Sequence, residues 1–135
     1  MNYKQFAKEY DGVSIDYDMM YGAQCVDVVR FYWHKVCGLV RARQPDTTPS
    51  GGAKDLINNV KDPSLKVFKE PKGGDVVVFG PTKNNQWGHT AVVMEFTNEH
   101  IEVVEQDGLN QGAGMYWKVR PRNELILGYI RYLGG

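Results

Sequence analysis

The chain has 135 residues, with 16 basic and 16 acidic side chains, 42% hydrophobic residues and 12% aromatic ones. That length fits one domain over residues 1–135 and is enough to bury a single core. The formal net charge of zero leaves no global basic field, which disfavours a charge-driven nucleic-acid or membrane-surface binder. No apolar run approaches the roughly 20 residues that span a bilayer, and two cysteines are too few for a disulfide scaffold.

Along the chain, Met1–Gln5 lacks the apolar core of a signal peptide, so none is expected. Residues Tyr3–Tyr10 form a short amphipathic segment that ends at the turn pair Asp11-Gly12. From Gln24 to Val36 the pattern is strongly helical, with Cys25, Val28, Val29, Tyr32 and Val36 on one face and Gly38 as the stop. Cys25 and Cys37 fall on one helical stretch, which argues against a bond between them. A turn-rich stretch, Gln44 to Gly52, precedes a third helix predicted over Ala53–Val60. Strands are predicted at Asp75–Phe79, His89–Phe96, Ile101–Glu105, Tyr116–Val119 and Ile126–Tyr132. Short links between them imply an antiparallel sheet. Helices first and strands later give an α+β fold, with N-terminal helices packed on the sheet.

Three residues suggest nucleophilic chemistry. Cys25 opens the long helix, where unpaired N–H groups and the helix dipole favour a thiolate. His89 begins a strand after Trp87-Gly88, and Gly88 lets backbone approach closely. Glu105 ends the next strand, so a hairpin would make His89 and Glu105 cross-strand neighbours. A carboxylate beside an imidazole beside a thiol is a nucleophile–base–orienter set. Taken singly, each has a commoner structural reading: Cys25 as a small buried hydrophobe, His89 as a structural or exposed side chain, Glu105 as a surface charge.

A second group overlaps the first. With Asp16 as position 1, Asp18 is position 3, Met20 position 5, Gly22 position 7 and Asp27 position 12, the offsets of an EF-hand calcium loop. Met20 and Tyr21 at positions 5 and 6 depart from that motif, so the loop is not an EF-hand. It is an oxygen-rich loop suited to calcium, or a polar loop with a helix-capping aspartate. Zinc is disfavoured, because no Cys-x-x-Cys or His-x-x-x-His pair exists.

The run Asp16-x-Asp18-x-x-x-Gly22-Ala23-Gln24-Cys25-Val26-Asp27, with Trp87-Gly88-His89 and Val104-Glu105-Gln106-Asp107-Gly108, resembles a CHAP domain. These are the cysteine, histidine-dependent amidohydrolases/peptidases of phage endolysins and bacterial autolysins. Gly52-Ala53-Lys54-Asp55 and Lys72-Gly73-Gly74-Asp75-Val76 extend the likeness over nearly the whole chain. It implies a papain-like, NlpC/P60-related fold and cleavage of an amide bond in peptidoglycan, as an N-acetylmuramoyl-L-alanine amidase or an endopeptidase. By matched position it implies Cys25 as nucleophile, His89 as base and Glu105 as orienter. Asp107 stands where the family often has Asn. It further implies calcium at Asp16, Asp18 and Asp27, with carbonyls from Met20 and Gly22. The Gln24 side chain is a candidate oxyanion donor. Trp87, Tyr21, Tyr116 and Trp117 are candidates for a substrate groove. Arg41, Arg43, Arg120, Arg122 and Arg131 read as scattered solvated charge. An NlpC/P60-type peptidase would carry a further His as orienter and no aspartate loop. A non-catalytic wall-binding module on the same fold is the alternative function. The expected partner is peptidoglycan, with a wall-binding subunit or larger assembly an open alternative. The chain would be made in a host cytoplasm without a signal peptide and act on the wall after release.

Overall fold

A computed structural model describes residues 1–18, 24–107 and 114–134. Helix α1 (Tyr3–Glu9) starts with a reciprocal cap. The Asn2 side chain accepts the Gln5 N–H at 2.9 Å, and the Gln5 side chain accepts the Asn2 N–H at 2.8 Å. Its inner face buries Phe6 and Ala7. Helix α2 (Cys25–Lys35) buries Val28, Val29 and Tyr32 of the predicted face, leaves Cys25 and Val36 partly buried, and adds Trp33 to the core. Side chains of this size are worth roughly 1.5–3 kcal/mol each when fully buried. Beyond α2, Gly38 adopts φ +69°, and Leu39 returns its N–H to the Trp33 carbonyl at 2.9 Å.

Arg30, on the same helix, is also buried. Its guanidinium donates to the Pro45 carbonyl at 3.0 Å and to Gln44 Oε1 at 3.3 Å. Gln44 donates back to the Arg30 and Leu39 carbonyls. These bonds tie the turn-rich segment to α2 and satisfy a buried cation that would otherwise be costly. The predicted third helix is instead a 3₁₀ helix, Ala53–Asn58. Gly52 shows why the packing there is tight. A Cβ on it would lie 2.5 Å from the Trp87 carbonyl oxygen, which also accepts the Lys54 N–H at 3.0 Å.

Six antiparallel strands form the sheet: β1 (Leu65–Phe68), β2 (Val76–Phe79), β3 (His89–Phe96), β4 (His100–Glu105), β5 (Tyr116–Pro121) and β6 (Ile126–Tyr132). Their order is β1-β6-β2-β3-β4-β5. Strand β1 was not expected. It is a four-residue edge strand within a lysine-rich stretch, and only pairing with β6 makes it a strand. Strand β5 runs two residues beyond the predicted Val119. Every residue of β2 is buried, because the sheet carries a core on each face. Val76, Val78, Val92, Met94, Val104 and Ile130 pack toward Phe6 and Trp33. Val77, Phe79, Ala91, Val93, Val103 and Tyr129 form the second core. The Arg120 guanidinium on β5 lies 5.5 Å from the Phe79 ring on β2, three strands away in sheet order. The sheet therefore curls around this second face, in keeping with the twist of its strands.

Candidate active site

The site lies where the N-terminus of α2 meets the ends of β3 and β4. Cys25 is the first residue of α2 and is half-buried. The Asp27 carboxylate caps the helix by accepting the Gln24 N–H at 2.9 Å. Cys25 and Cys37 are both free thiols. Cys37 is buried among the core residues, and burial pushes its thiol up to about 11, which leaves it protonated and inert at neutral pH.

His89 opens β3, opposite Phe79 of β2. Gly88, at φ +77°, makes the turn into the strand. A Cβ there would sit 2.5 Å from the Phe79 carbonyl oxygen, so the close approach expected of this glycine is present. The β3–β4 hairpin pairs Val92 with Val104 and Val93 with Val103. Continuing that register sets Glu105 against Ala91, so His89 and Glu105 are diagonal neighbours rather than directly opposed. They still meet. His89 Nε2 is 3.1 Å from Glu105 Oε1. The contact is an ion pair that lies off the line of a straight ring N–H hydrogen bond.

Burial lowers the proton affinity of His89, but the contacts with Cys25 and Glu105 outweigh it and raise the imidazole to about 9. At neutral pH the imidazole is therefore a cation held between the Cys25 sulfur and the Glu105 carboxylate. Glu105 is fully buried. Burial alone would push its carboxyl up, yet the hydrogen bonds from Arg120 and the contact with His89 hold it down at about 2. Arg120 Nε donates to Oε1 and an Arg120 terminal nitrogen to Oε2, both at 2.6 Å, and the Tyr116 hydroxyl donates to Oε2 at 2.8 Å. Arg120 is thus an ion-pair partner of a buried acid, not solvated charge. Arg131 likewise forks onto the buried Asp75 at 2.9 Å. The other three arginines pair with Asp46, Asp62 and Glu70 at the surface.

A cleft of about 760 Å³ opens beside Cys25 and His89. Gln24, Trp87, Asp107 and the Ser50–Ala53 turn contribute to its walls. Trp87 is half exposed there, as a groove-lining residue would be. Tyr116 and Trp117 lie instead on β5, outside the cleft wall, and Tyr116 serves Glu105. Tyr21 lies outside the described residues.

Asp16, Asp18 and Asp27 are brought together, each offering a carboxylate oxygen within 4.8 Å of the others. Asp16 Oδ1 is buried with no hydrogen-bond partner. Burial, then the Asp18 and Asp16 charges, raise Asp27 to about 6 despite backbone hydrogen bonds from Gln24 and Asp18. A hard divalent cation is the group such a cluster suits, because it would satisfy the orphaned oxygen and relieve the like charges. Met20 and Gly22 lie outside the described residues.

One residue of the site escaped the sequence reading. Gln106 is buried, accepts the Ile15 N–H at 2.8 Å, and donates to the Ile15 carbonyl at 2.7 Å and the Gln24 carbonyl at 3.1 Å. It therefore joins the residue before Asp16 to the residue before Cys25. Its place between Glu105 and Asp107 was the available signal.

Comparison with known proteins bears on the family and the fold. The CHAP domain profile matches residues 14–107. Endolysin PlyTW of Staphylococcus phage Twort is 32% identical over 126 residues, covering 84% of this chain and 24% of the phage protein. The chain thus spans about a quarter of that relative's length. The crystal structure of the wild-type endolysin LysIME-EF1 superposes with a TM-score of 0.71 at 21% identity, covering 98% of this chain and 64% of that one. That of Ly7917 gives 0.74 at 14% identity, covering all of this chain and 64% of that one. A second Ly7917 structure, described as holding the hydrolyzing product of MDP, gives 0.71 over 98% of this chain and 62% of that one, at 14% identity.

Proposed function

The chain belongs to the CHAP domain family, and on that premise we propose that it hydrolyses an amide bond of bacterial peptidoglycan through Cys25, His89 and Glu105, as the catalytic part of a phage-type lysin. The observation that carries this reading is the linked contact of Cys25, His89 and Glu105 at the edge of an open cleft. Cys25 is the nucleophile. With Nε2 turned to Glu105, the other ring nitrogen of His89 serves the thiol, and a proton shared between them gives a thiolate–imidazolium pair. The thiolate attacks the amide carbonyl. The Cys25 backbone N–H at the helix start and the Gln24 side chain receive the developing oxyanion. His89 then protonates the leaving amine, and water, deprotonated by His89, releases the acyl group.

Asp107 stands in the cleft beside His89, where its carboxylate can orient the imidazole or the substrate. Trp87 offers a flat apolar face for stacking along the bound chain. Asp16, Asp18 and Asp27 are the side chains that would hold calcium, together with the Met20 and Gly22 carbonyls. When bound, the ion would neutralise the clustered carboxylates and brace the start of α2. The proposed partner is the bacterial wall, reached after release or delivery. Among the described residues no helix is long and apolar enough to cross a membrane.

The test is mass spectrometry of soluble products from purified Gram-positive peptidoglycan with calcium, comparing the protein with Cys25→Ala. Products that vanish in the variant support the proposal. A stem peptide freed from its glycan identifies an amidase, and cut stems or cross-bridges an endopeptidase. No products across several wall types from the folded protein would overturn hydrolysis and leave a wall-binding module.

A further inference from the structure

Glu105 cannot orient His89 unless something orients Glu105. It lies at the end of β4, fully buried, with its carboxylate surrounded by side chains from two other strands. His89 approaches from β3, and Tyr116 and Arg120 approach from β5. Register explains the approach. Glu105 pairs with Tyr116, and Arg120 pairs with Ile101, four residues back along β4. The side chains of Glu105, Tyr116 and Arg120 therefore share one face, the face around which the sheet curls. From Ile101 the long Arg120 side chain must run along the strand to reach Glu105, and it does so against the Phe79 ring.

The geometry is a fork. Two guanidinium nitrogens meet the two carboxylate oxygens at 2.6 Å each, the bidentate arrangement that fixes a carboxylate plane. The Tyr116 hydroxyl occupies a further site on Oε2. What remains of Oε1 faces His89. Other titratable groups near this set are Cys25, which faces His89 from α2, and Asp107, whose charge is felt at Tyr116.

We propose that Arg120 is a positioning residue of this site, its guanidinium fork and the Tyr116 hydroxyl holding the buried Glu105 carboxylate in the plane that faces His89. The inference rests on the catalytic reading of Cys25 and His89. It assigns to β5 a role that neither the cysteine nor the histidine motif contains. Arg120 also offsets the burial that would otherwise raise Glu105, so the carboxylate stays ionised across the working pH range. Without the fork, only His89 and the Tyr116 hydroxyl would oppose burial, and the Glu105 carboxyl would rise.

The experiment follows iodoacetamide alkylation of Cys25 against pH, by peptide mapping that separates Cys25 from Cys37. It compares the protein with Arg120→Met, Arg120→Lys and Tyr116→Phe. Alkylation needs no wall substrate. Arg120→Met is expected to slow Cys25 alkylation at pH 7 on the order of 10-fold. It is also expected to move the acid limb of the profile upward by about one pH unit. Arg120→Lys keeps the charge without the fork, and should bring the acid limb back toward wild type while the rate stays reduced. Folded Arg120→Met with a wild-type rate and profile overturns the proposal, as does full recovery of both by Lys, which would reduce Arg120 to a charge. Should Arg120→Met fail to fold, Tyr116→Phe carries the test. It should shift the limb in the same direction by a smaller amount, and an unchanged profile overturns the proposal. Alkylation that behaves as expected in a protein that releases nothing from peptidoglycan would refute the wall hydrolase and leave the positioning role standing.

Discussion

Glu105→Gln keeps the shape of a fully buried side chain and removes its charge. Three partners read that charge: the Arg120 fork, the Tyr116 hydroxyl and the His89 imidazole. Burial pushes the carboxyl up, while Arg120 and His89 bring it to about 2 from an ordinary 4.5. At about 1.4 kcal/mol per pH unit, that difference stabilises the fold by about 3 kcal/mol at neutral pH. Removing one partner of a buried ion pair costs roughly 3–5 kcal/mol, which agrees. His89 reports the same contact from the other side. Burial lowers it, and Cys25 and Glu105 raise it to about 9 from 6.5, so the His89–Glu105 part is counted once.

The two signs define a pH window. The Glu105 contribution is present above its unfolded value of 4.5 and is lost as pH falls through about 2. The His89 contribution is present below its unfolded value of 6.5 and is lost as pH rises through about 9. Both are complete between 4.5 and 6.5. At pH 6 the variant should therefore lose about 3 kcal/mol, or on the order of 10 °C in Tm. The decline from pH 6.5 to 9 should also flatten, because only the Cys25 contribution to His89 remains. Urea unfolding followed by circular dichroism at pH 6 and 9.5 measures both. A variant within about 1 kcal/mol of wild type at pH 6, with the wild-type decline above it, would refute the reasoning.

Two further outcomes follow from the metal cluster and from Gln106. If Asp16, Asp18 and Asp27 hold calcium, saturation at about 100 times Kd should stabilise the protein by about 2.7 kcal/mol. Asp16→Asn should abolish this rise in calorimetric Tm, and a Tm unchanged between chelated and calcium-loaded wild-type protein would refute calcium binding at the cluster. Gln106→Ala leaves the Ile15 N–H and carbonyl without their side-chain partner and the Gln24 carbonyl with the Asp27 N–H alone, at about 1–3 kcal/mol for the buried donor alone. It should also weaken the calcium response, since the Ile15 bonds hold the chain beside Asp16. Wild-type stability and a wild-type calcium shift in this variant would show that Gln106 bridges nothing of consequence.

Much of this protein was legible along the chain. Apolar residues at helical spacing located α2, and valine-rich runs between glycines located β2, because periodicity reports directly which face is buried. Cys25 at a helix start and His89 at a strand start were visible as local positions, and their boxes marked the family. The three aspartates were visible as a spacing, and their carboxylates do converge. What stayed hidden depends on contacts between distant segments. Strand β1 exists because β6 offers it an edge, not because Leu65–Phe68 alternates. Residues Ala53–Asn58 wind as 3₁₀ rather than α, in a segment pinned to the Trp87 carbonyl. Arg120 reads as a surface cation until the curl of the sheet lays it along the strand onto a buried carboxylate. Sequence patterns encode burial and backbone preference, which are properties of a segment. The partner of a charge is a property of two segments, and only the register and curvature of the sheet decided that Glu105, expected beside His89, would also meet Arg120.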